Sequence, residues 1–392
     1  MKAFPISNGM KYDFLVLGAD GMQGCITSKD LLCNGYSVFM ADLYKGRLEP
    51  MLKKYENTAF TFVDLRDIEM TINVIEKSGA DVVINCAEGD WNMNVYKACL
   101  QTKTHVLDLG SHTDMTEEQL KMDKDFKKAK RTAITGCGSV PGIGNVMLRY
   151  AAKRFDSIET IDAGFAWDSN IKKFVVPFSI ESIMEEFTLP APILSKGRWL
   201  YKKPLKTITT RYYRSIGNQQ TFLVDHAELY TFYHYYKDKG VKNIHFFAGF
   251  PDHSARAIIS LIDFGFINKK PVKMQGCEVK PNHYLTQLLK RLRTPKAYKE
   301  WENLWVEIIG KKDRATKTIL MECVVPTLPG WEDAGCNIDT GMTASIMAEM
   351  IKKGVIKHRG SFAPEGVVPE REFFKELRKR KMVIYENCKV IN

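Results

Sequence analysis

The fold of this chain is decided by the stretch DFLVLGADGMQGCITSKDLLCNGYSVFMADLY, residues 13–44. An apolar run ends at Gly18, and two further glycines follow at Gly21 and Gly24. A helical stretch then leads to a second apolar run, which ends at Asp42. A strand, a tight glycine turn, a helix and a second strand in this order predict the first βαβ unit of a parallel sheet.

The glycine turn has the features needed to hold a dinucleotide. Glycines permit a sharp turn and a close approach of the backbone to a pyrophosphate, which the free amides of the next helix then bind. The spacing G-x-x-G-x-x-G differs from the commoner G-x-G-x-x-G and is a weak signal alone, so a purely structural turn stays open. Asp42 follows Gly24 by 18 residues, as expected for a ribose-binding acid. This predicts NAD, with NADP possible because Lys45 and Arg47 follow.

The same rhythm of strands and helices continues through the first third of the chain. Apolar runs at 13–18, 37–41, 59–63, 81–86, 104–107 and 132–135 predict strands, with helical patterns between them. We therefore predict an α/β fold, with a Rossmann-type doubly wound parallel sheet in residues 1–137. Ligands bind at the carboxyl ends of such strands. The predicted cofactor contacts are Gly18, Asp20, Gly21, Met22, Gly24, Asp42, Asp64, Asn85, Ala87 and Glu88. Asp64 has the alternative of capping the next helix.

The pattern changes at GCGSVPGIGNVML, residues 136–148. The segments beyond it are aromatic-rich and do not alternate strand with helix. We predict a second α+β domain with a mixed or antiparallel sheet in residues 138–330. DTGMTASIMAEMIKKGVI predicts a helix with Asp339 as a possible N-cap, in a C-terminal segment, 331–392, that packs back on the first domain.

Composition narrows the class of protein. The 392 residues are 45% hydrophobic, which is enough for sizeable cores. Nine cysteines occur without any C-x-x-C spacing, which predicts reduced thiols, a cytoplasmic location and no metal site. The net charge of +11 comes partly from lysine- and arginine-rich runs that we interpret as solvated helix faces, not as a nucleic-acid surface. No apolar run is long enough to span a bilayer, and no secretory signal opens the chain, so no membrane partner is expected.

Six segments together resemble the saccharopine dehydrogenase-like family, and within it the bacterial and archaeal L-lysine 6-dehydrogenases. They are VLGADGMQG, HVLDLGSHTD, GCGSVPGIGNVML, FSIESIMEEFTLPAPILSKG, GCEVKPNHYL and the C-terminal KKGVIKHRGSFAPEGVVPEREFFKELRKRKMVIYE. They span nearly the whole chain in order. The middle domain, from about Lys202 to Gly265, matches poorly.

The resemblance implies an NAD(P)-dependent amino-acid dehydrogenase that acts on CH–NH groups and assembles as a homodimer or a higher oligomer. It favours lysine 6-dehydrogenase, which would convert lysine to 2-aminoadipate 6-semialdehyde in lysine degradation. The alternatives are a saccharopine or carboxynorspermidine dehydrogenase or reductase, and, from another class, a non-catalytic dinucleotide-binding module. A small-molecule amino-acid substrate is the expected partner.

Amine oxidation needs a proton acceptor beside the substrate carbon and opposite charges around an amino acid. The predicted catalytic residues are His112, Asp108, Glu181 and His226. The first two follow the fifth strand and match the family, and His226 shares a predicted strand with Glu228. The predicted substrate-binding residues are Arg211, Arg256, Glu228, Pro141, Gly142 and Asn145. The arginines could fork onto a carboxylate, and a surface or structural role is the alternative for each of these side chains.

Overall fold

The computed structural model describes residues 11–110, 112–176, 179–289, 291–292 and 295–392, and the side chain of Glu181 lies outside that description. In chain order the strands are β1 Phe14–Leu17, β2 Val38–Asp42, β3 Thr58–Phe62, β4 Val82–Asn85, β5 His105–Asp108, β6 Thr132–Ile134, β7 Ser157–Ser169, β8 Ala191–Ser195, β9 Arg198–Lys202, β10 Thr209–Tyr213, β11 Gly217–Leu223, β12 Asn243–Gly249, β13 Val272–Met274, β14 Cys277–Val279, β15 Glu300–Lys312, β16 Ala315–Pro326, β17 Gly360–Phe362, β18 Val383–Glu386 and β19 Lys389–Val390. The α-helices are α1 Met22–Cys33, α2 Glu49–Lys54, α3 Ile68–Ser78, α4 Asn92–Gln101, α5 Thr113–Lys121, α6 Asp123–Lys128, α7 Ile143–Ala152, α8 Ile180–Thr188, α9 Glu228–Tyr236, α10 Asp252–Asp263, α11 Pro281–Leu289, α12 Ile338–Lys352, α13 Pro364–Val367 and α14 Glu370–Lys379.

The first sheet is parallel throughout and has the strand order β17-β6-β5-β4-β1-β2-β3. The order reverses between β1 and β4, which is where a doubly wound sheet binds its ligand. All six strands predicted in the first third are present, and the predicted fold class is confirmed. The last helical stretch of this region forms two helices, α5 and α6, instead of one.

The second sheet is mixed and has the order β10-β11-β12-β7-β15-β16-β18-β19, with the hairpin β8–β9 attached to β12. Its centre is the pair of long strands β7 and β15, which run antiparallel to each other, while β12 runs parallel to β7. Helix α7, which follows the glycine- and proline-rich loop at residues 136–142, packs on β15 and β16. That loop is therefore the connection between the two sheets.

The C-terminal segment contributes to both sheets. Strand β17 lies at the edge of the parallel sheet, and β18 and β19 extend the mixed sheet. Helix α12 packs on α1, and nearly all of its side chains are buried, which explains why its sequence is apolar on every side. Its N-cap is Asn337, and the predicted cap Asp339 lies inside the first turn.

Candidate active site

The three glycines form the turn between β1 and α1. Gly18 has a φ of +68°, and a Cβ there would lie 2.5 Å from the backbone nitrogen of Ala87. A Cβ on Gly24 would overlap the carbonyl oxygen of Gly18. The turn consequently has no room for side chains at these two positions, and it brings the start of α1 close to the end of β4. This is the geometry that a dinucleotide pyrophosphate needs.

Asp42 closes the turn from the end of β2. Its carboxylate accepts hydrogen bonds from the backbone N–H groups of Asp20, at 2.9 Å, and Tyr44, at 3.2 Å. The Asp20 carboxylate in turn accepts from the backbone N–H of Arg47, at 2.6 Å. The acid at the end of the second strand therefore lies against the glycine turn, where a ribose would be held, so these residues fit a bound dinucleotide.

Asp64, which follows β3, makes an ion pair with Arg66, whose Nη2 lies 2.5 Å from Oδ2 of Asp64. Hydrogen bonds and charge from Arg66 lower the pKa of Asp64 to about 2. The alternative role as a helix cap belongs to Asp67, whose side chain accepts from the backbone N–H of Met70.

The end of β4 is arranged by two asparagines. Buried Asn85 donates from Nδ2 to Oδ1 of Asn92, at 2.7 Å, and accepts from the backbone N–H of Ala87, at 3.2 Å. Asn85 thereby fixes the turn that places Ala87 against the glycine turn and Glu88 in the adjoining cleft.

The cleft, about 450 Å³ in volume, lies at the carboxyl ends of β4 and β5, next to helix α8 and the loop before α9. We call it the acidic cleft, because five carboxylic acids line it: Glu88, Asp90, Glu185, Glu186 and Asp225. Its other lining residues are Gly89, Gly110, His112, Thr113, Val140, Pro141, Ser179, Ser182, Leu189, His226 and Ala227. The described lining contains no lysine or arginine, although the whole chain has a net charge of +11. A cationic ligand is what such a lining favours.

His226 is the most constrained ionisable group of the acidic cleft. Its Nδ1 lies 2.5 Å from Oε2 of Glu228, and its ring stacks on Phe246 with centroids 4.1 Å apart. Burial lowers the pKa of His226, but the charge and hydrogen bond of Glu228, together with the charges of Glu186 and Asp225, outweigh burial and raise the pKa. Glu228 is fully buried, and it begins α9 while His226 precedes it, so the predicted shared strand is wrong. A histidine oriented by a buried acid is an arrangement that suits proton transfer.

Glu186 is a second residue of the acidic cleft with a shifted pKa. Its Oε2 is buried and has no hydrogen-bond partner within the described residues. Burial raises the pKa of Glu186 to about 8, against the opposing charge of His226. The neighbouring Asp225 also has a raised pKa, chiefly through burial. A buried carboxyl group that lacks a partner is suited to bind an incoming amine.

His112 is exposed in the lining of the acidic cleft, at the N-cap position of α5. Asp108 does not reach the cleft. Its fully buried carboxylate accepts from Tyr96 Oη, Gln119 Nε2 and the backbone N–H of Gly110, each at 2.7 Å. The predicted catalytic residue Asp108 therefore lies outside the lining of the cleft, and its hydrogen bonds hold the loops after β5 and β6.

The predicted substrate arginines lie elsewhere. Arg211 pairs with Glu307 at 2.8 Å and lies over the ring of Trp305, on the mixed sheet. The Arg256 side chain is 82% exposed on α10, beside Asp252. Neither lines the acidic cleft, because the first is held by its ion pair and the second faces solvent. Glu181 lies in the first turn of α8, but its side chain is outside the described residues.

The loop at residues 136–142, which connects the two sheets, forms one wall of the cleft. Pro141 lies in the lining and packs against Gly110 and Gly136, where a Cβ would come within 3 Å of its ring. The backbone N–H of Gly142 donates to Oδ1 of Asn145 at 2.7 Å. Of the three predicted contacts, only Pro141 lines the cleft, and buried Asn145 supports the loop from behind.

Four acids of the cleft were not found from the sequence: Asp90, Glu185, Glu186 and Asp225. Asp90 stands in NCAEGDW, two residues after the predicted contact Glu88, and Asp225 adjoins His226 in VDHAELYT. The helix ESIMEEF presents Ser182, Glu185 and Glu186 three and four residues apart, which is the spacing of one helical face. Proximity to predicted site residues was the available signal.

Two family models match the chain. The saccharopine dehydrogenase NADP binding domain matches residues 14–134, and the saccharopine dehydrogenase C-terminal domain matches residues 123–383. Saccharopine dehydrogenase (L-Glu forming) from Saccharomyces cerevisiae has a similar fold, with a TM-score of 0.75 at 13% identity over 97% of this chain and 100% of that chain.

Two relatives are similar in sequence. Carboxynorspermidine synthase of Vibrio cholerae is 28% identical over 295 residues, 71% of this chain and 69% of that protein. Carboxyaminopropylagmatine dehydrogenase of Synechocystis is 24% identical over 384 residues, 91% of this chain and 93% of that protein. These names agree with the carboxynorspermidine alternative, and lysine 6-dehydrogenase is not confirmed. In the described residues no helix is long and apolar enough to cross a membrane, and no group of three or more metal-ligating side chains is present.

Proposed function

Because the chain belongs to the saccharopine dehydrogenase family, we propose that it reductively joins an amino-acid aldehyde to the primary amine of a polyamine-like cation. The chain is an NAD(P)-dependent oxidoreductase of a family that binds small-molecule substrates. The bound nicotinamide cofactor would supply or accept the hydride at carbon. The observation that carries the choice of substrate is the acidic cleft.

The names of the relatives define a shared chemical group. An aminocarboxypropyl group on nitrogen is what reduction of the imine between aspartate 4-semialdehyde and an amine would leave. Norspermidine with a carboxyl on one arm contains the same group. In this reaction the aldehyde and the amine lose water to form an imine, and one hydride and one proton reduce the imine to a secondary amine.

The charges of the acidic cleft support this substrate class. A carboxylated polyamine carries several cationic nitrogens and one carboxylate at neutral pH, because aliphatic amines and guanidines have high pKa values. Saccharopine carries more carboxylates than cations and would need arginines that the described lining lacks. Lysine, the substrate that the resemblance favours, offers only its two amines to five lining acids.

The side chains of the cleft can be given roles in this reaction. Glu186 and its neighbours would hold the cationic amine, while His226, oriented by Glu228, would move the proton between the amine, the departing water and solvent. At the start of α5 the N-cap residue His112 makes no side-chain cap hydrogen bond, and Asp114 accepts from the backbone N–H of Met115, at 2.8 Å. The remaining N–H groups of that turn would receive the amino-acid carboxylate.

The test is the absorbance of reduced nicotinamide. Purified protein would be mixed with NADH or NADPH, aspartate 4-semialdehyde and one of 1,3-diaminopropane, putrescine or agmatine. We expect cofactor oxidation that needs both the aldehyde and the amine. Reduction of NAD by lysine alone would instead establish lysine 6-dehydrogenase, and reduction by saccharopine would establish a saccharopine dehydrogenase. Cofactor binding without turnover of any of these would contradict the proposal and favour the non-catalytic module.

A further inference from the structure

Glu365 is a buried acid behind the acidic cleft that none of the roles above uses. It lies in α13, in the C-terminal segment, and is 2% exposed. Its Oε2 accepts a hydrogen bond from Nδ2 of Asn145, at 2.8 Å. Its Oε1 is buried without a hydrogen-bond partner in the described part of the chain. Strand β17 and helix α13 thus place the carboxyl group of Glu365 behind the loop at residues 138–142.

Glu228 faces the same buried space from α9. One of its carboxylate oxygens, Oε2, binds His226, and the other, Oε1, is buried without a partner among the described residues. Thr231 lies three residues further on the same face of α9, with its Oγ1 3.4 Å from Nδ2 of Asn145. Asn145 therefore bridges Glu365 to the helix face that carries Glu228.

Both carboxyl groups are buried, so two negative charges side by side in this space are disfavoured. Burial, and to a smaller extent the charge of Glu228, raises the pKa of Glu365 to about 7, although hydrogen bonds from Thr231 and Asn145 oppose this. Ionisation of Glu365 would therefore add a negative charge to the buried space that Glu228 also faces.

The surrounding groups do not neutralise Glu365. The Arg149 guanidinium donates to the backbone carbonyl of Glu365, at 2.6 Å, and its Nε lies 2.7 Å from the carboxylate of Glu370. Burial raises the pKa of both Tyr235 and Tyr236, so these phenols stay neutral. On the cleft side, His226 is faced by Glu228, Glu186 and Asp225.

We propose that Glu365 is a positioning residue that holds a proton beside Glu228 and so controls the charge on His226. This rests on the proposed function, in which His226 moves the proton. When Glu365 is protonated, Glu228 is the one charge among the described residues that faces His226 from the side away from the cleft. When Glu365 ionises, the added negative charge favours the protonated imidazole. The C-terminal segment would then tune the pH range in which His226 can give or take a proton.

The direct test is the titration of His226 followed by NMR in protein labelled at histidine, with the signal assigned by its loss in His226→Asn. Glu365→Gln keeps the shape of the neutral acid and removes its ionisation. We expect this variant to lower the midpoint of the His226 titration by about half a pH unit or more. An unchanged midpoint in a folded Glu365→Gln variant would overturn the proposal. Thr231→Val, which removes a hydrogen bond that favours ionised Glu365, should shift the midpoint in the same direction and serves if Glu365→Gln does not fold.

Two comparisons test whether the charge of Glu365 itself acts on His226. In a Glu228→Gln background, Glu365→Gln should still lower the midpoint of the His226 titration, and loss of the shift there would contradict a direct action of that charge. Asp339→Asn is the matched control, since Asp339 is also buried and burial raises its pKa to about 7. It should leave the His226 titration unchanged, and an equal shift in this control would contradict a specific role for Glu365.

The NMR titration needs no substrate, so it separates the two proposals. If Glu365→Gln shifts the midpoint of the His226 titration but the protein does not turn over the aldehyde and amine, the proposed function is rejected and the control of His226 by Glu365 is retained. If turnover is found, Glu365→Gln should also move the acidic limb of the kcat profile to lower pH by the same half unit while cofactor affinity stays unchanged. If the pH profile of kcat for Glu365→Gln is identical to that of the unmodified protein, the control of His226 by Glu365 is rejected and the proposed function is retained.

Discussion

The glycine turn and the acidic cleft adjoin each other at the carboxyl edge of the parallel sheet, but they are built in different ways. The turn is a local structure, made by consecutive residues whose backbone leaves no room for a side chain at Gly18 or Gly24. The cleft takes its acids from the loop after β4, from helix α8 and from the loop before α9. A short sequence motif predicts a local backbone constraint, but it does not predict a cluster of charges that forms only when the chain folds.

The largest effect is expected where the backbone itself is constrained. Gly24→Val would place a side chain against the carbonyl oxygen of Gly18, so the turn would have to open. We expect affinity for NADH or NADPH to fall at least about 100-fold, because the amides of α1 would no longer converge on the pyrophosphate. Titration of nicotinamide fluorescence measures this, with circular dichroism to verify folding.

Gly46→Ala is the matched control for the turn, since a Cβ at Gly46 would meet nothing within 4 Å. Its cofactor affinity should equal that of the unmodified chain. Unchanged cofactor affinity in folded Gly24→Val would show that the dinucleotide does not bind at this turn.

The next largest effect is expected at His226 in the acidic cleft. His226→Asn should lower kcat by about 100-fold or more, because a positioned acid–base group contributes about that much. Steady-state rates with saturating substrates measure it. His245→Asn is the control, since His245 makes a similar pair with Asp162 at 2.7 Å but does not line the cleft. Equal losses in the two variants would mean that removal of a buried histidine pair, and not proton transfer, explains the effect.

The contrast between the two regions also shows how far the sequence could be read. The strands of the parallel sheet, the glycine turn and Asp42 were predictable, since each follows from a short periodic pattern or a fixed spacing. The positions of the predicted substrate-binding arginines were not predictable. Arg211 has the right chemistry for a carboxylate, but its partner Glu307 lies 96 residues away and is brought to it only by the mixed sheet. The hydrogen bonds that hold Asp108 away from the cleft were likewise not predictable, because Tyr96 and Gln119 reach it only in the folded chain.

A smaller effect, with a pH dependence, is expected for the acid that binds the amine. Glu186 has a pKa raised to about 8, so it is mostly neutral at pH 6 and ionised at pH 9. An amine substrate stays cationic over this range, and its KM should therefore fall as the pH rises through 8. Glu186→Gln should raise KM about 10-fold at pH 9 and remove most of this dependence. Initial rates at several pH values measure both.

The stability of the fold should follow the opposite trend at Glu186. Its folded pKa is higher than its unfolded value near 4.5, so the stabilising contribution is complete below pH 4.5 and is lost as the pH rises through 8. Thermal unfolding of Glu186→Gln should depend less on pH in that window than unfolding of the unmodified chain. Glu185→Gln, which changes an adjacent cleft acid, should retain the full dependence, and its loss there would contradict the assignment to Glu186.

The smallest effect returns to the cofactor side and concerns the choice between NAD and NADP. An acid beside the ribose accepts from both hydroxyls of NAD and repels a 2′-phosphate, whereas Arg47 would attract one. Asp42→Ala should therefore weaken NADH binding several-fold and weaken NADPH binding less, so the ratio of the two dissociation constants moves toward NADPH. Asp64→Ala is the control, because the Asp64 carboxylate is engaged by Arg66 and not by the glycine turn. Equal losses for both cofactors in Asp42→Ala would mean that this acid only ties down the turn, through the backbone N–H of Asp20, and that the selectivity lies in the cations that follow β2.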